Sequence, residues 1–389
     1  MIYLDNAATT YPKSEAVYQR MDEVNRKLAV NAGRGSYRAA REASDIILST
    51  REKILGLSCA KNVAEVFFTA SATSAFNEII GGLDIGENQN VYVSPFEHNA
   101  VMRTLHLKQE KCGCLIRELP IRVEENENGI QEHRIDLDMV RYEFAKNKPD
   151  YVFISAVSNV TGYILPVEEI TQAAKEYGAI VTIDAAQAFG LIPVDLRNVP
   201  CDFYVFAGHK TLYGPFGAAG FFKRNGANLN ISMAGGTGTD SLNLNMPENG
   251  SERYEVGSPN IVAIAGLEAA IADIQDVGQI LEHEKQLTEE LIEGLTKIPK
   301  VKLYLPPDGN RVGIVSFALE GYKASELGMI LDEDFDIAVR TGYHCAPLIH
   351  KYLKDEMAAG TVRASVSKYT TSEDIKALVS AIKELAEEM

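Results

Sequence analysis

The chain has 389 residues, 46% hydrophobic and 24% charged, with 38 basic against 54 acidic side chains and a formal net charge of -16. A length of two or three domains, at roughly 100 to 200 residues each, and the lack of low-complexity tracts imply a chain that folds throughout. The acidic surface repels phosphate backbones and anionic headgroups, which argues against nucleic acid and membrane partners, and the longest uncharged run, Tyr151 to Val167, is interrupted by Ser, Asn, Thr, Gly and Pro.

The opening MIYLDNAATT has neither the basic start nor the apolar core of a signal peptide, so a cytoplasmic protein is expected. From about residue 64, short apolar runs alternate with longer amphipathic stretches, the pattern of strands joined by crossover helices in a mostly parallel sheet. Strands are predicted at Val66 to Thr69, Val91 to Ser94, Leu115 to Leu119, Tyr151 to Ala156, Ile180 to Asp184, Phe203 to Ala207 and Ala218 to Phe222. Between them a helix is predicted from Val167 to Tyr177, stopped by Gly178. After Ser258 the texture changes to two long helices, Asn260 to Ile274 and Gln279 to Lys297. There follow Val312 to Leu319, a helix near Ala324, a strand leading into Arg340, and a last helix over Thr371 to Met389 with Ser372 as N-cap. The fold class is α/β: a large domain over residues 15–255 with a seven-stranded sheet, and a smaller α+β domain from 1–14 and 256–389.

In an open parallel sheet, ligands sit beyond the carboxyl ends of the strands. Two predicted strands end in chemistry. Ile180 to Asp184 ends in a carboxylate, with Gln187 three residues on; read alone, Asp184 caps the next helix, but beside a pyridine ring it would keep the ring nitrogen protonated. Phe203 to Ala207 runs into GHKTLYGP, where Lys210 in a glycine-bearing turn can be desolvated into an amine nucleophile. A lone lysine is usually a surface charge, and a lone His98 is usually a polar group near a helix start. The five cysteines, Cys59, Cys112, Cys114, Cys201 and Cys345, have no CxxC spacing and fit reduced thiols better than a disulfide frame or a zinc site. Cys112 and Cys114 read as two thiols around a turn.

The motifs YLDNAATT (from Tyr3), TASAT (from Thr69), EHNA (from Glu97), SNVTG (from Ser158), DAAQ (from Asp184) and GHKTLYGP continue into RYEVGSPN (from Arg253), RTGYHCAP (from Arg340) and GTVRAS (from Gly360). In that order the chain resembles the class V aminotransferase group of fold-type I pyridoxal-phosphate enzymes, and within it the cysteine desulfurases and selenocysteine lyases. The resemblance implies pyridoxal 5′-phosphate as cofactor, with Lys210 as the Schiff-base lysine, Asp184 at the pyridine nitrogen, Gln187 at the ring hydroxyl and His98 stacked on the ring. Ala72, Thr73 and His209 would hold the phosphate, Ser258 would reach it from the second subunit of a homodimer, and Asn159 would support both cofactor and substrate. Arg363 would clamp the carboxylate of L-cysteine or L-selenocysteine, since guanidinium offers two parallel donors to two oxygens.

Because this cofactor serves many reactions, another residue must select among them. Cys345, beside His344 in a polar loop, is placed to act as a thiolate, the attacking form. The resemblance then implies a persulfide on Cys345 and alanine as co-product, with an acceptor protein downstream and iron–sulfur cluster assembly as the setting. Selenocysteine lyase, or an aminotransferase or epimerase that does not use the thiol, remain the alternatives. The chain departs from the family pattern at Tyr343, where a second histidine is usual, at Ala207, often a serine, and at Ser71, commonly a glycine. The glycine-rich loop Ala234 to Thr239 reads as a turn between domains.

Overall fold

The computed structural model describes every residue except 33, 34, 36, 127–129, 239, 241, 275, 308 and 389. All seven predicted strands form one sheet, in the order Ala64–Thr69, Ala219–Arg224, Phe203–Ala207, Ile180–Asp184, Tyr151–Ser155, Asn90–Val93, Leu115–Glu118. Its pairs are parallel except where Ala219–Arg224 runs against both neighbours. Helices cover both faces, which explains why Tyr151–Ser155 and Phe203–Ala207 read as unbroken apolar runs: every residue in them is buried. Alternation sends Phe203 and Val205 to one layer, with Phe76, Phe153 and Phe221, and Tyr204 and Phe206 to the other, with Phe189 and Phe222. Each such phenylalanine contributes about 1.5–3 kcal/mol relative to exposure.

A second sheet, antiparallel throughout, has the order Val301–Tyr304, Ile314–Leu319, Thr361–Ser365, Arg340–Gly342. Helices Val277–Thr296, Ala324–Phe335 and Ser372–Glu387 pack on it through Leu291, Leu295, Leu327, Leu331, Leu378 and Ile382. The N-terminus joins this unit. Ile2–Tyr3 pairs with Ile337–Ala338, Asp5 bridges to Ser365, and the Thr10 amide then donates to the His209 carbonyl at 3.1 Å, so this short segment touches both sheets.

Several expectations shift by a residue or two. The helix predicted from Asn260 begins at Ile261, with Asn260 as its cap, and the one predicted from Gln279 begins at Val277, where Asp276 accepts from Gly278 and Gln279. The cap of the last helix is Thr371, not Ser372. The Thr371 hydroxyl accepts from the Asp374 amide and the Asp374 carboxylate accepts from the Thr371 amide, a reciprocal box that a start at Ser372 would forfeit. Met389, the predicted end of this helix, lies outside the described residues, as does Thr239 of the glycine-rich loop. Elements not predicted include helices Glu15–Lys27 and Arg38–Leu57, a hairpin pairing Ile121–Glu125 with Gln131–Ile135, and the strands Val301–Tyr304 and Thr361–Ser365 of the second sheet. Among the described residues no helix is long and apolar enough to cross a membrane. Replacing Thr371 with alanine should lower stability in urea denaturation by about 1 kcal/mol; an unchanged midpoint would contradict the assigned cap.

Candidate active site

Strand register sets Ser155 opposite Asp184, and Asp184 opposite Val205, so two strands end level and Phe203–Ala207 runs two residues further. They open onto a cavity of about 220 Å³. Ala72, Thr73, His98, Asn159, Asp184, Gln187, His209, Lys210 and Arg363, all singled out from the sequence, line it together with Arg340 and His344. Cys345 stands just behind this wall, and Ser258 lies elsewhere.

Lys210 follows the strand Phe203–Ala207 by three residues. The turn that carries it closes through Tyr213 N–H to the Lys210 carbonyl at 2.8 Å and Gly214 N–H to the Gly208 carbonyl at 2.7 Å. Gly208 is required there, because a Cβ would meet the Ala218 carbonyl oxygen at 2.3 Å. Burial pushes the Lys210 amine down to about 8, and nearby Arg363 and Arg340 act in the same direction while Asp184 opposes them. Asp184 is itself buried. Burial raises its carboxyl above the usual range, countered by the Ala186 amide, which donates to it at 2.9 Å, and by Lys210. Asp184 is followed by a turn and not by a helix, so the expected cap is absent and the Ala186 contact closes that turn beside the cavity. Gln187 is anchored by its amide donating to the Ala7 carbonyl at 2.7 Å.

One end of the cavity suits an anion. Helix Ala72–Gly82 starts there, capped by the Ser71 hydroxyl, which accepts from Ser74 N–H at 3.1 Å. The amides of Ala72 and Thr73, in the first turn, have no intrahelical acceptor, and the positive end of the helix faces them. His209, stacked on Phe216 at 4.7 Å, keeps Nδ1 without a hydrogen-bond partner among the described residues. His98 caps the next helix, Asn99–Cys112, through Nδ1, which accepts from Ala100 N–H at 3.0 Å; the proton of the neutral ring is thereby assigned to Nε2. Burial, reinforced by Lys210, pushes both histidines down to about 3, so each is a neutral imidazole.

The opposite end is cationic. Arg340 and Arg363 stand directly across from each other on antiparallel strands, an arrangement of like charges that costs stability unless it is offset. Asp5 supplies the offset: it accepts from Arg363 at 2.8 Å, while the same guanidinium donates to the Asn159 carbonyl at 2.8 Å. Arg363 is 1% exposed, and its Nε has no partner among the described residues. Asp5 and Arg340 sit inside the motifs quoted above, yet no role had been read for either. The available signal was a charge at the edge of a short apolar run, which alone is a weak one.

The Arg340 guanidinium also reaches Cys345, donating to Sγ at 3.4 Å. Cys345 is half-buried, and its backbone is left-handed at φ 57°, as is that of His344 at 46°. Two such residues without glycine cost about 1–2 kcal/mol each, so the loop needs fixing from outside. Asn159 donates to the His344 carbonyl at 2.7 Å and Asn99 N–H to the Cys345 carbonyl at 2.6 Å. His344 also contacts the Thr361 hydroxyl through Nε2 at 2.8 Å, and burial pushes its ring down to about 2.

Ser258 is exposed on the wall of a separate cleft of about 480 Å³ that also holds Arg51, Phe68, Glu78 and Glu255. Within one chain, Asn31 reaches its hydroxyl only at 3.5 Å. Thr69, Ala70 and Ser74 line this cleft and Ser71 to Thr73 line the smaller cavity, so the two share the turn that opens helix Ala72–Gly82.

The family model of class V aminotransferases matches residues 2–378. A probable cysteine desulfurase of Methanothermobacter thermautotrophicus is 32% identical over 99% of this chain and 94% of its own length. A cysteine desulfurase of Klebsiella pneumoniae is 32% identical over 99% and 93%. Among solved structures, the apo cysteine desulfurase of Thermococcus onnurineus NA1 superposes with a TM-score of 0.87 at 29% identity, covering all of this chain and 95% of that one. With its sheet order, its strand-end lysine and carboxylate, and these full-length likenesses, the chain belongs to the class V aminotransferase family, among relatives named cysteine desulfurases.

Proposed function

We propose that the protein is a pyridoxal-phosphate-dependent cysteine desulfurase that converts L-cysteine to L-alanine and leaves the sulfur on Cys345. The observation that carries the reading is the cavity in which a desolvated Lys210, Asp184, a helix N-terminus and Arg363 converge, with the Cys345 thiol behind Arg340.

The residues present fit the cofactor. The amides of Ala72 and Thr73 and the unpartnered Nδ1 of His209 match a phosphate. Asp184 matches a protonated pyridine nitrogen, Gln187 a ring hydroxyl, neutral His98 a ring face, and Lys210 an aldehyde. Ser258 would add to the phosphate site from a second copy in a homodimer. When bound, pyridoxal phosphate supplies an electrophilic carbon for the substrate amine and an electron sink for the α-carbon.

The chain's own groups perform the rest. Arg363 holds the substrate carboxylate through its unengaged Nε and the fork beside Asn159. The Lys210 amine, uncharged over a larger pH range than an ordinary lysine, takes the α-proton. Asp184 keeps its negative charge where positive charge must persist at the ring. Cys345 Sγ, which accepts from the Arg340 guanidinium at 3.4 Å, attacks as the thiolate, the nucleophilic form of a thiol. A bond forms between Cys345 Sγ and the substrate sulfur as the carbon–sulfur bond breaks. The electron pair stays with carbon, which is protonated to give alanine, and the persulfide is left for an acceptor protein. Residues 15–255 and the remainder, 1–14 with 256–389, are read as the two domains enclosing this site. The setting is taken as cytoplasmic, with iron–sulfur cluster assembly as the use of the sulfur.

Replacing Cys345 with alanine should reduce alanine and sulfide production from L-cysteine by at least 100-fold while the yellow cofactor stays bound, and mass spectrometry after brief exposure to L-cysteine should find one extra sulfur on the wild-type Cys345 peptide. Retained activity in the variant would remove the thiol from the reaction. Because the free amine is the nucleophile, the rate at which the cofactor-free protein takes up pyridoxal phosphate at Lys210 should climb with pH and flatten above about 8. A rate still climbing to the ordinary lysine range would show the amine to be solvated.

A further inference from the structure

The loop that carries Cys345 is gripped from a direction that the reaction scheme does not use. His350, one turn further along and buried, places Nε2 at 3.1 Å from the Tyr343 carbonyl and Nδ1 at 2.5 Å from the Asp355 carboxylate. A carbonyl only accepts hydrogen bonds. Nε2 is therefore the donor to Tyr343, and Nδ1 shares the second hydrogen bond with the Asp355 carboxyl. Asp355 is 2% exposed, and its other oxygen, Oδ1, has no partner among the described residues. A buried carboxyl with one oxygen unsatisfied costs stability, so the pair is not explained by stability alone.

Its placement accounts for it. The carbonyls of Tyr343, His344 and Cys345 are consecutive, and each is held from a different element: His350 takes the first, Asn159 the second and the Asn99 amide the third. Asn159 lines the cavity and supports Arg363, and Asn99 opens the helix that His98, another lining residue, caps. His350 does not line the cavity. The His350 ring also meets Tyr343 edge-on at 5.0 Å and lies 6.2 Å from His344, which lines the cavity wall.

We propose that His350 and Asp355 are positioning residues that hold the left-handed turn at His344 and Cys345, and so aim Sγ at the substrate sulfur. The pair acts through Cys345 and not on the cofactor, the substrate carboxylate or the α-proton. The inference rests on the desulfurase reading above for its consequence, but not for its geometry.

The test uses full-length His350→Gln, with Asp355→Asn as the second variant should the first fold poorly, in the cofactor-loaded enzyme. His350→Gln keeps a donor for the Tyr343 carbonyl but loses the link to Asp355; Asp355→Asn keeps the shape but replaces the carboxyl oxygen that Nδ1 contacts. Expected are a fall of about tenfold in kcat for L-cysteine with KM within twofold, and near wild-type turnover of L-selenocysteine, whose weaker carbon–selenium bond breaks without an attacking thiol. In the absence of substrate, the rate of Cys345 alkylation by iodoacetamide should change at least threefold. Equal losses on both substrates, or unchanged turnover of both, would overturn the proposal. So would an unchanged alkylation rate in both variants, even if the wild type proved inactive on L-cysteine. A wild type that never acquires sulfur on Cys345 would instead sink the desulfurase reading, and the alkylation comparison alone would then decide whether the pair positions the loop.

Discussion

Removing an amine from water at the end of a buried strand is the constraint around which this molecule is arranged. Lys210 can sit there only because Phe203–Ala207 is covered on both faces and because Gly208 lets the turn pass against the Ala218 carbonyl. Desolvation weakens its hold on a proton, and two nearby arginines weaken it further. Asp184 stops the shift from going further and supplies the compensating negative charge on the neighbouring strand. The parallel register that brings these neighbouring strand ends together is thus part of the electrostatics.

The second sheet brings the opposite problem, two guanidinium groups facing each other across a pair of antiparallel strands. The answer comes from the first few residues of the chain. Ile2–Tyr3 adds to the edge of the C-terminal unit, which delivers Asp5 to Arg363, and the same segment continues to the backbone of His209. Arg340, not engaged by Asp5, is left to face Cys345. One acidic residue near the N-terminus therefore divides the labour of two arginines: one tied and oriented at the cavity wall, the other beside the thiol.

The large sheet was legible because strands buried on both faces cannot hide their composition, and the groups at their ends could be read from the positions where those runs stop. Helix Glu15–Lys27 is faint because Val17 and Val24 are its only buried side chains, whereas Arg38–Leu57 buries Ala40, Ala43, Ile46, Thr50 and Ile54 at helical spacing and was recoverable from that pattern. The hairpin strand Ile121–Glu125 alternates Ile121 and Val123 with charged residues and leaves Val123 exposed, so its pattern is faint. The cap of the last helix was recoverable, since Thr371 precedes Asp374 by the three residues that a capping box requires and Ser372 does not. The contact of Asp5 with Arg363, and the grip of His350 on the cysteine loop, depend on how strands pair and turns close. Local pattern carries no trace of either.

The central claim is that the amine of Lys210 is the group that takes an aldehyde. Adding pyridoxal phosphate to the cofactor-free protein, reducing with borohydride and mapping the product by peptide mass spectrometry tests it most directly. The account predicts a single pyridoxyl adduct, on residue 210, and none when Lys210 is replaced by alanine. An adduct on another lysine such as Lys13, whose amine burial also pushes down to about 8, or no adduct at all, would contradict it.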